Sequence, residues 1–321
     1  MIKINLDNSQ KNKINDLFND FIKRKDIINK VEKLSNFLCC KKCRNTSTIL
    51  QSKATSDLFV LFGRNKLKDC IKEFELAMVA DKEEQGINRD TIINYIYKGN
   101  DSKRNRISGF GSFYKSFSDS DEAYEILKII NANVCPYCNR QYTFTARKNG
   151  VKARPQFDHF YPKSLYPYLA VSVYNLIPSC ALCNQGKRQV SPDNILYPYE
   201  ESFDEKNIYF EIEGVIPFIL DVAPNINVNL ESYPNNKPII DTYNKEMKIS
   251  VLYEGHSKYI TDLIYKKYIF NEDAIRDICL LLSKCDLTPQ YVEQLIFGQY
   301  DITDSTDNPL SKLTRDILNQ L

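Results

Sequence analysis

Four cysteines in two C-x-x-C pairs bracket a single Asp-His step in the middle of this chain. The first pair is Cys135 and Cys138 in VCPYCNRQY, the second Cys180 and Cys183 in IPSCALCNQGK. A two-residue gap lets both thiolates of one tight turn reach the same ion, and two such turns supply the four sulfurs of a tetrahedral zinc site. Four protein ligands leave no open position, so the expected zinc is structural and its binding energy is folding energy for the segment it clasps. Between the pairs lies FDHFYPKS, with Asp158 and His159, followed by Asn175 in YNLIP; Asn184 comes just after the second pair. These residue types suit metal-dependent hydrolysis. An imidazole with a pKa near neutrality can take a proton from water, and carboxylate or amide oxygens can hold a hard divalent cation. On an extended strand Asp158 and His159 point to opposite sides, so one can face a metal and the other a water where the chain bends.

The surrounding charge suits a polyanion. From Val134 to Val190 there are eight basic residues (Arg140, Arg147, Lys148, Lys152, Arg154, Lys163, Lys187, Arg188) against one acid, Asp158. That window carries +7 and leaves −5 for the rest of a chain whose net charge is +2. Such a local excess attracts a phosphate backbone, and we take Arg154, Lys163, Lys187 and Arg188 as the expected phosphate contacts. Lys98, Lys103, Arg104 and Arg106 form a further basic cluster upstream. Tyr161, Tyr166, Tyr168 and Tyr174 could stack on bases, but tyrosines at strand-like spacing more often pack a core.

Other conspicuous residues read as structural. CCKKC (Cys39, Cys40, Cys43) has no second pair beside it, and a second zinc there would need a distant ligand such as Cys70. Cys279 and Cys285 lie in an apolar helical stretch and suit a core, His256 has no ligand-like neighbour in sequence, and GFGSF lacks the ending of a phosphate loop.

The 321 residues allow two units or one elaborated domain. The start, MIKINLDNSQ, shows no secretory signal, and no long apolar run is present. Ten cysteines without an export signal read as metal ligands and buried thiols rather than disulfides, so a cytoplasmic protein is expected.

The elements that must position these residues follow from periodicity. Residues 1–130 read as helical, with apolar stripes over 13–38 and 67–80, a helix capped at Asp90-Thr91 and ending near Gly99, and another after SDSDE. In 131–200, strands are expected at 141–146, 156–160 and 171–178, then a helix from Ala181. In 201–321, IYFEIEG, FILDV, INVNLES and KISVLY alternate like strands, and the helical period returns from Ser257. The fold class is α+β: a zinc-clasped ββα core between mainly helical regions.

D-H at 158–159, Asn175 in YNLIP and C-x-x-C-N-x-x-K at 180–187 resemble the HNH endonucleases with their ββα-metal fold, over roughly residues 131–200. The resemblance implies DNA cleavage with Mg²⁺ or Mn²⁺. It makes His159 the general base, Asp158 and Asn184 the ligands of the catalytic cation, and Asn175 the residue that orients the histidine by a hydrogen bond. Asn184 stands where the family's name expects a histidine, and an amide oxygen can serve a hard cation. LYEGHSKYITDLI and NPLSKLTRDIL are similar to the C-terminal parts of HNH nucleases of bacterial antiphage systems, the Septu-type and retron-associated nuclease subunits. That likeness implies an effector working beside an ATPase partner, since no ATPase motif stands in this chain. A non-catalytic zinc-stabilised nucleic-acid-binding or adaptor protein is the rival reading, and an RNA-cleaving nuclease is a second.

Overall fold

Helical periodicity dominates the chain, and the computed structural model turns it into a mixed α+β architecture of helices with small antiparallel sheets. It describes residues 2–102, 105–188, 190, 192–213, 227–234, 236–282, 287–298 and 307–321. Two compact units result. One comprises Met1–Ile4, Ala132–Phe144 and Cys180–Leu321; the other comprises Asn5–Asn131 and Thr145–Ser179. Among the described residues no helix is long and apolar enough to cross a membrane. FILDV, Cys285, Lys103 and Arg104 lie outside the described residues.

The unit that carries His159 opens with α1 (Asn8–Arg24), started by a capping box in which Gln10 N–H donates to Asp7 and the Gln10 side chain accepts from Asp7 N–H. The apolar stripe over 13–38 is two helices rather than one. Asp26, at φ 54°, turns the chain between α1 and α2 (Ile27–Cys40). Next comes α3 (Arg44–Ser56), whose first turn is capped from a distance by Asp81 of α4 (Arg64–Gln85): Asn45 N–H and Thr46 N–H donate to its carboxylate at 2.8 and 2.9 Å. Then α5 (Arg89–Lys98) is capped by Asn88, not by the Asp90-Thr91 step, and stops at Gly99. The basic segment after it pairs β1 (Gly99–Asn100) with β2 (Ile107–Ser108) before α6 (Phe110–Ser118) and α7 (Asp121–Ile130). Phe117 meets Phe18 and Phe21 edge to face at 4.7 and 5.2 Å and also reaches Phe157. Each such ring adds about 1.5–3 kcal/mol by burial alone.

In the same unit β3 (Ala146–Lys148) and β4 (Val151–Ala153) form an exposed pair, and β5 (Gln156–His159) runs antiparallel to β6 (Leu176–Ser179). β6 is buried along its whole length and β5 from Phe157 to His159, so Asp158 and His159 are enclosed along with the apolar side chains. The expected strand at 141–146 is reduced to one bridge, Val134 with Tyr142. The strand expected from Val171 begins only at Leu176, after a short 3₁₀ turn at Val173–Asn175.

The other unit follows its cysteine turns with α8 (Ala181–Lys187), the pair β7 (Ile208–Glu213) and β8 (Asn227–Ser232), and the helices α9 (Lys237–Lys245), α10 (Ile249–Glu254), α11 (Ser257–Ile269), α12 (Glu272–Leu281), α13 (Pro289–Phe297) and α14 (Ser311–Leu318). KISVLY, expected as a strand, is the helix α10. Gly186 lets α8 lie close to the chain before α10, since a Cβ there would stand 2.9 Å from the Glu246 carbonyl oxygen. At α14 a buried ionic network holds the sheet. Lys312 Nζ lies 2.6 Å from Asp316 and 3.0 Å from Asp204, Arg315 pairs with Asp204, and Asp316 accepts from Phe210 N–H of β7. Lys312→Met leaves two carboxylates short of their cation. It should cost about 3–5 kcal/mol, read as a lower urea midpoint by circular dichroism; an unchanged midpoint would remove the network from the account of stability.

Candidate functional site

The four cysteines gather within one unit. Their sulfurs all lie within 4.8 Å of one another, an arrangement that could hold a zinc ion. Each C-x-x-C is shaped by its own backbone. Cys135 N–H donates to the Gln141 carbonyl, Asn139 N–H donates to the Cys135 carbonyl, and Asn139 takes the left-handed conformation at φ 50°. Backbone N–H groups then point at sulfur: Arg140 to Cys138 at 3.4 Å, Cys180 to Cys135 at 3.4 Å, and Cys183 to Cys180 at 3.5 Å. Such donors stabilise thiolates. Hydrogen bonds from neighbouring thiols push Cys138 and Cys180 towards the thiolate, whereas burial holds Cys135 protonated and the other thiols hold Cys183 so. Sulfurs this close compete for charge, and a dication among them would let all four ionise.

The cysteine turn is tied into its unit by Asn139. Its side chain accepts from Lys312 N–H and the Ser311 hydroxyl at the start of α14, and its carbonyl accepts from Leu310 N–H. Tyr253 of α10, fully buried, donates its hydroxyl to the Cys138 carbonyl. Arg140 donates through Nε to His256 Nε2 at 3.0 Å, so His256 is a packing partner at the start of α11. Among the described residues no other group of cysteines, histidines and acids comes together this way. Cys39 and Cys40 are exposed, while Cys43 and Cys70 are buried with their thiols pushed up to about 11 and about 12, mainly by desolvation.

The histidine site belongs to the other unit. Asp158 and His159 sit at the end of β5, opposite Ile177 and Leu176 of β6, and both are buried. His159 Nε2 lies 3.1 Å from the Ala170 carbonyl oxygen. A carbonyl only accepts, so in the neutral ring Nε2 carries the hydrogen and Nδ1 is the basic nitrogen. The tautomer is therefore set by the position of the 160–175 loop.

Long-range contacts hold that loop. Asn175 Oδ1 accepts from Tyr161 N–H at 2.8 Å, and its Nδ2 donates to the Tyr161 and Leu169 carbonyls at 3.1 Å. Asn175 thus braces the loop next to Ala170, whose carbonyl faces the histidine. Tyr168 stacks flat on Phe74 of α4 at 3.8 Å, and Arg89, paired with Glu75, donates to the Leu165 carbonyl. Val173 N–H donates to the Phe59 carbonyl, and the Tyr174 hydroxyl donates to Asn15 of α1. Tyr161, Tyr168 and Tyr174 are buried, so they pack this loop rather than offering faces to bases. Tyr142 and Phe144, in the unit of the cysteines, form an exposed stacked aromatic pair.

Asn184 lies partly exposed on α8, in the unit of the cysteines. Of the expected phosphate contacts, Lys187 is fully buried at 0% exposure, which takes its charge off the surface and corrects that expectation. Arg154 donates to the Ser118 carbonyl and hydroxyl and to the Pro155 carbonyl, so much of its fork serves its own unit. Arg188 is exposed, and Lys163 is half-buried with its pKa lowered by burial. Tyr114 of α6, which no spacing in the sequence marks, lies against His159 with ring centres 4.4 Å apart.

No protein-family model matches the chain, and no solved structure matches it. A stretch of 102 residues is 27% identical to Protein ea31 of Escherichia phage lambda. That stretch covers 32% of this chain and 31% of the phage protein.

Proposed function

We propose that this chain is a divalent-metal-dependent endonuclease of the HNH type that hydrolyses DNA phosphodiester bonds, with a zinc-clasped ββα core spanning residues 131–200. The observation that carries the reading is His159, buried at a strand end with Nε2 directed at a backbone carbonyl and its tautomer thereby set for a base. A histidine serving only to fill a core needs no such loop, and a zinc-binding adaptor needs no Asp-His step. In this reading His159 Nδ1 takes the proton of a water aligned with the scissile phosphate. Asn175 keeps the Ala170 carbonyl on the ring and stabilises the imidazolium that forms.

Asp158, a buried carboxylate beside the base, is the donor its unit offers to a hard cation. Asn184 is named as a second ligand by the resemblance alone. When bound, Mg²⁺ or Mn²⁺ supplies neutralisation of the charge that grows on the phosphate and the leaving oxygen. Arg188 and Lys163 would grip flanking phosphates without reading sequence. A role as the effector of an antiphage complex with an ATPase partner rests on the likeness of the C-terminal segments to Septu-type and retron-associated subunits.

The test is cleavage of supercoiled plasmid by the purified full chain. Nicking that needs Mg²⁺ or Mn²⁺ and stops on chelation is the expected result. A protein that binds the plasmid but leaves it supercoiled, alone and with the product of a neighbouring ATPase gene, would fit the adaptor reading instead. Cleavage of RNA but not DNA would move the substrate class.

A further inference from the structure

Helix α6 brings three groups of the histidine site together through one aromatic ring. The Tyr114 ring meets the His159 imidazole at 4.4 Å in an edge-to-face arrangement. The Lys163 ammonium stands 4.6 Å from the centre of the same ring. One turn along α6, Arg154 Nη2 donates to the Ser118 hydroxyl at 2.8 Å. Two cations and the imidazole are thus arranged about Tyr114 and its helix neighbour, all within one unit.

Lys163 is drawn partly out of water, and burial alone shifts its ionisation, with no carboxylate contributing among the described residues. A π face offsets only part of the cost of desolvating an ammonium. The charge is incompletely compensated, and an incoming anion would complete it. Spending a lysine stem and a tyrosine ring in this way beside a histidine makes sense when the anion is a phosphate.

We propose that Tyr114 and Lys163 form a phosphate subsite of the His159 centre, in which the ring of Tyr114 sets the Lys163 ammonium against a non-bridging oxygen of a nucleic-acid backbone phosphate. The inference rests on the reading of His159 as the base of a phosphodiester hydrolase. Lys163 touches the substrate, and Tyr114 is a positioning residue that acts through it.

The experiment measures anisotropy of a short labelled DNA duplex with no divalent cation added, across a series of salt concentrations, for full-length Lys163→Met, Tyr114→Phe, Tyr114→Leu and the Tyr114→Leu/Lys163→Met double variant. Folding is checked by circular dichroism and zinc content. Lys163→Met should weaken binding about tenfold and flatten the log–log salt slope by about 0.9, the signature of one lost phosphate contact. Tyr114→Phe keeps the π face and should bind like the unsubstituted chain. Tyr114→Leu should approach Lys163→Met, and the double variant should be no weaker than Lys163→Met alone, because both remove one interaction. A merely structural defect would leave the salt slope alone.

An unchanged slope in Lys163→Met, additive losses in the double variant, or no binding by the unsubstituted chain would overturn the subsite. If Tyr114→Leu does not fold, the Lys163→Met slope still decides. Plasmid cleavage run beside it separates the two readings. Cleavage with KM unmoved by Lys163→Met retires the subsite and keeps the nuclease; a flattened slope without cleavage, alone and with the product of the neighbouring ATPase gene, keeps the phosphate contact and retires the hydrolysis.

Discussion

A Cys183→Ser chain is expected to carry almost no zinc and to lose the cooperative unfolding transition of the unit that holds the cysteines. The sulfurs of Cys135, Cys138, Cys180 and Cys183 lie within 4.8 Å of one another, so one missing ligand leaves a three-sulfur site with a weak fourth donor. Structural zinc in small units is worth about 10–16 kcal/mol in apparent binding energy. Whole domains are stable by only about 5–15 kcal/mol. Losing even half of the zinc term is therefore comparable with the entire margin. The damage should spread, because Asn139 in the first cysteine turn holds the start of α14, and α14 holds β7 through Asp316. The chain has no tryptophan, so circular dichroism is the readout, with zinc released by a thiol reagent and counted by a metallochromic dye. Cys39→Ser, at an exposed thiol, is the control and should keep about one zinc per chain. Normal zinc and a normal melt in Cys183→Ser would refute the assignment of these four cysteines.

Much of this architecture could be read from spacing, and the places where it could not are instructive. The cysteine pairs were legible because a two-residue gap has few other uses. The helices with full apolar stripes were legible too, as was the alternation of IYFEIE in β7. KISVLY misled because Ile249, Val251 and Tyr253 satisfy a period of two, while Ile249 and Tyr253 also satisfy a helical step of four. Six residues cannot separate the two periods. Packing decides it, since Ile249 and Tyr253 are buried and Val251 is 66% exposed. The α3 segment was silent for another reason: its inward face includes Thr46 and Ser47 beside Leu50, and its cap comes from Asp81, 35 residues away from Thr46. Within the site, Asp158, His159 and Asn175 were marked by residue type. The loop that Asn175 braces was not, because its anchoring by Phe74, Arg89 and Asn15 is a long-range fact. Tyr114 was invisible for the same reason.

His159→Ala and Asn175→Ala should separate the base from its support. Removing the imidazole takes away the group that accepts the proton from water, and general-base catalysis of this kind is worth about 10²–10⁴ in rate. His159→Ala should therefore lower plasmid nicking by about that factor with zinc content unchanged, since the cysteines belong to the other unit. Melting should fall modestly, because the buried Ala170 carbonyl loses its donor. Asn175→Ala is different in kind. It leaves the Tyr161 N–H without its acceptor and takes a donor from the Tyr161 and Leu169 carbonyls in a buried place, the Leu169 carbonyl keeping Ser172 N–H. Each unpaired group costs about 1–3 kcal/mol, so this variant should melt lower as well as cleave slower. Its loss of rate should lie in kcat, because the loop governs the presentation of the base rather than the grip on DNA. Asn175→Asp keeps the acceptor for Tyr161 N–H but sets a buried carboxylate oxygen against two carbonyl oxygens, and should melt no higher than the alanine variant. Equal nicking by His159→Ala and the parent, with both chains folded and zinc-loaded, would mean that another group takes the proton and that the Ala170 contact is only packing.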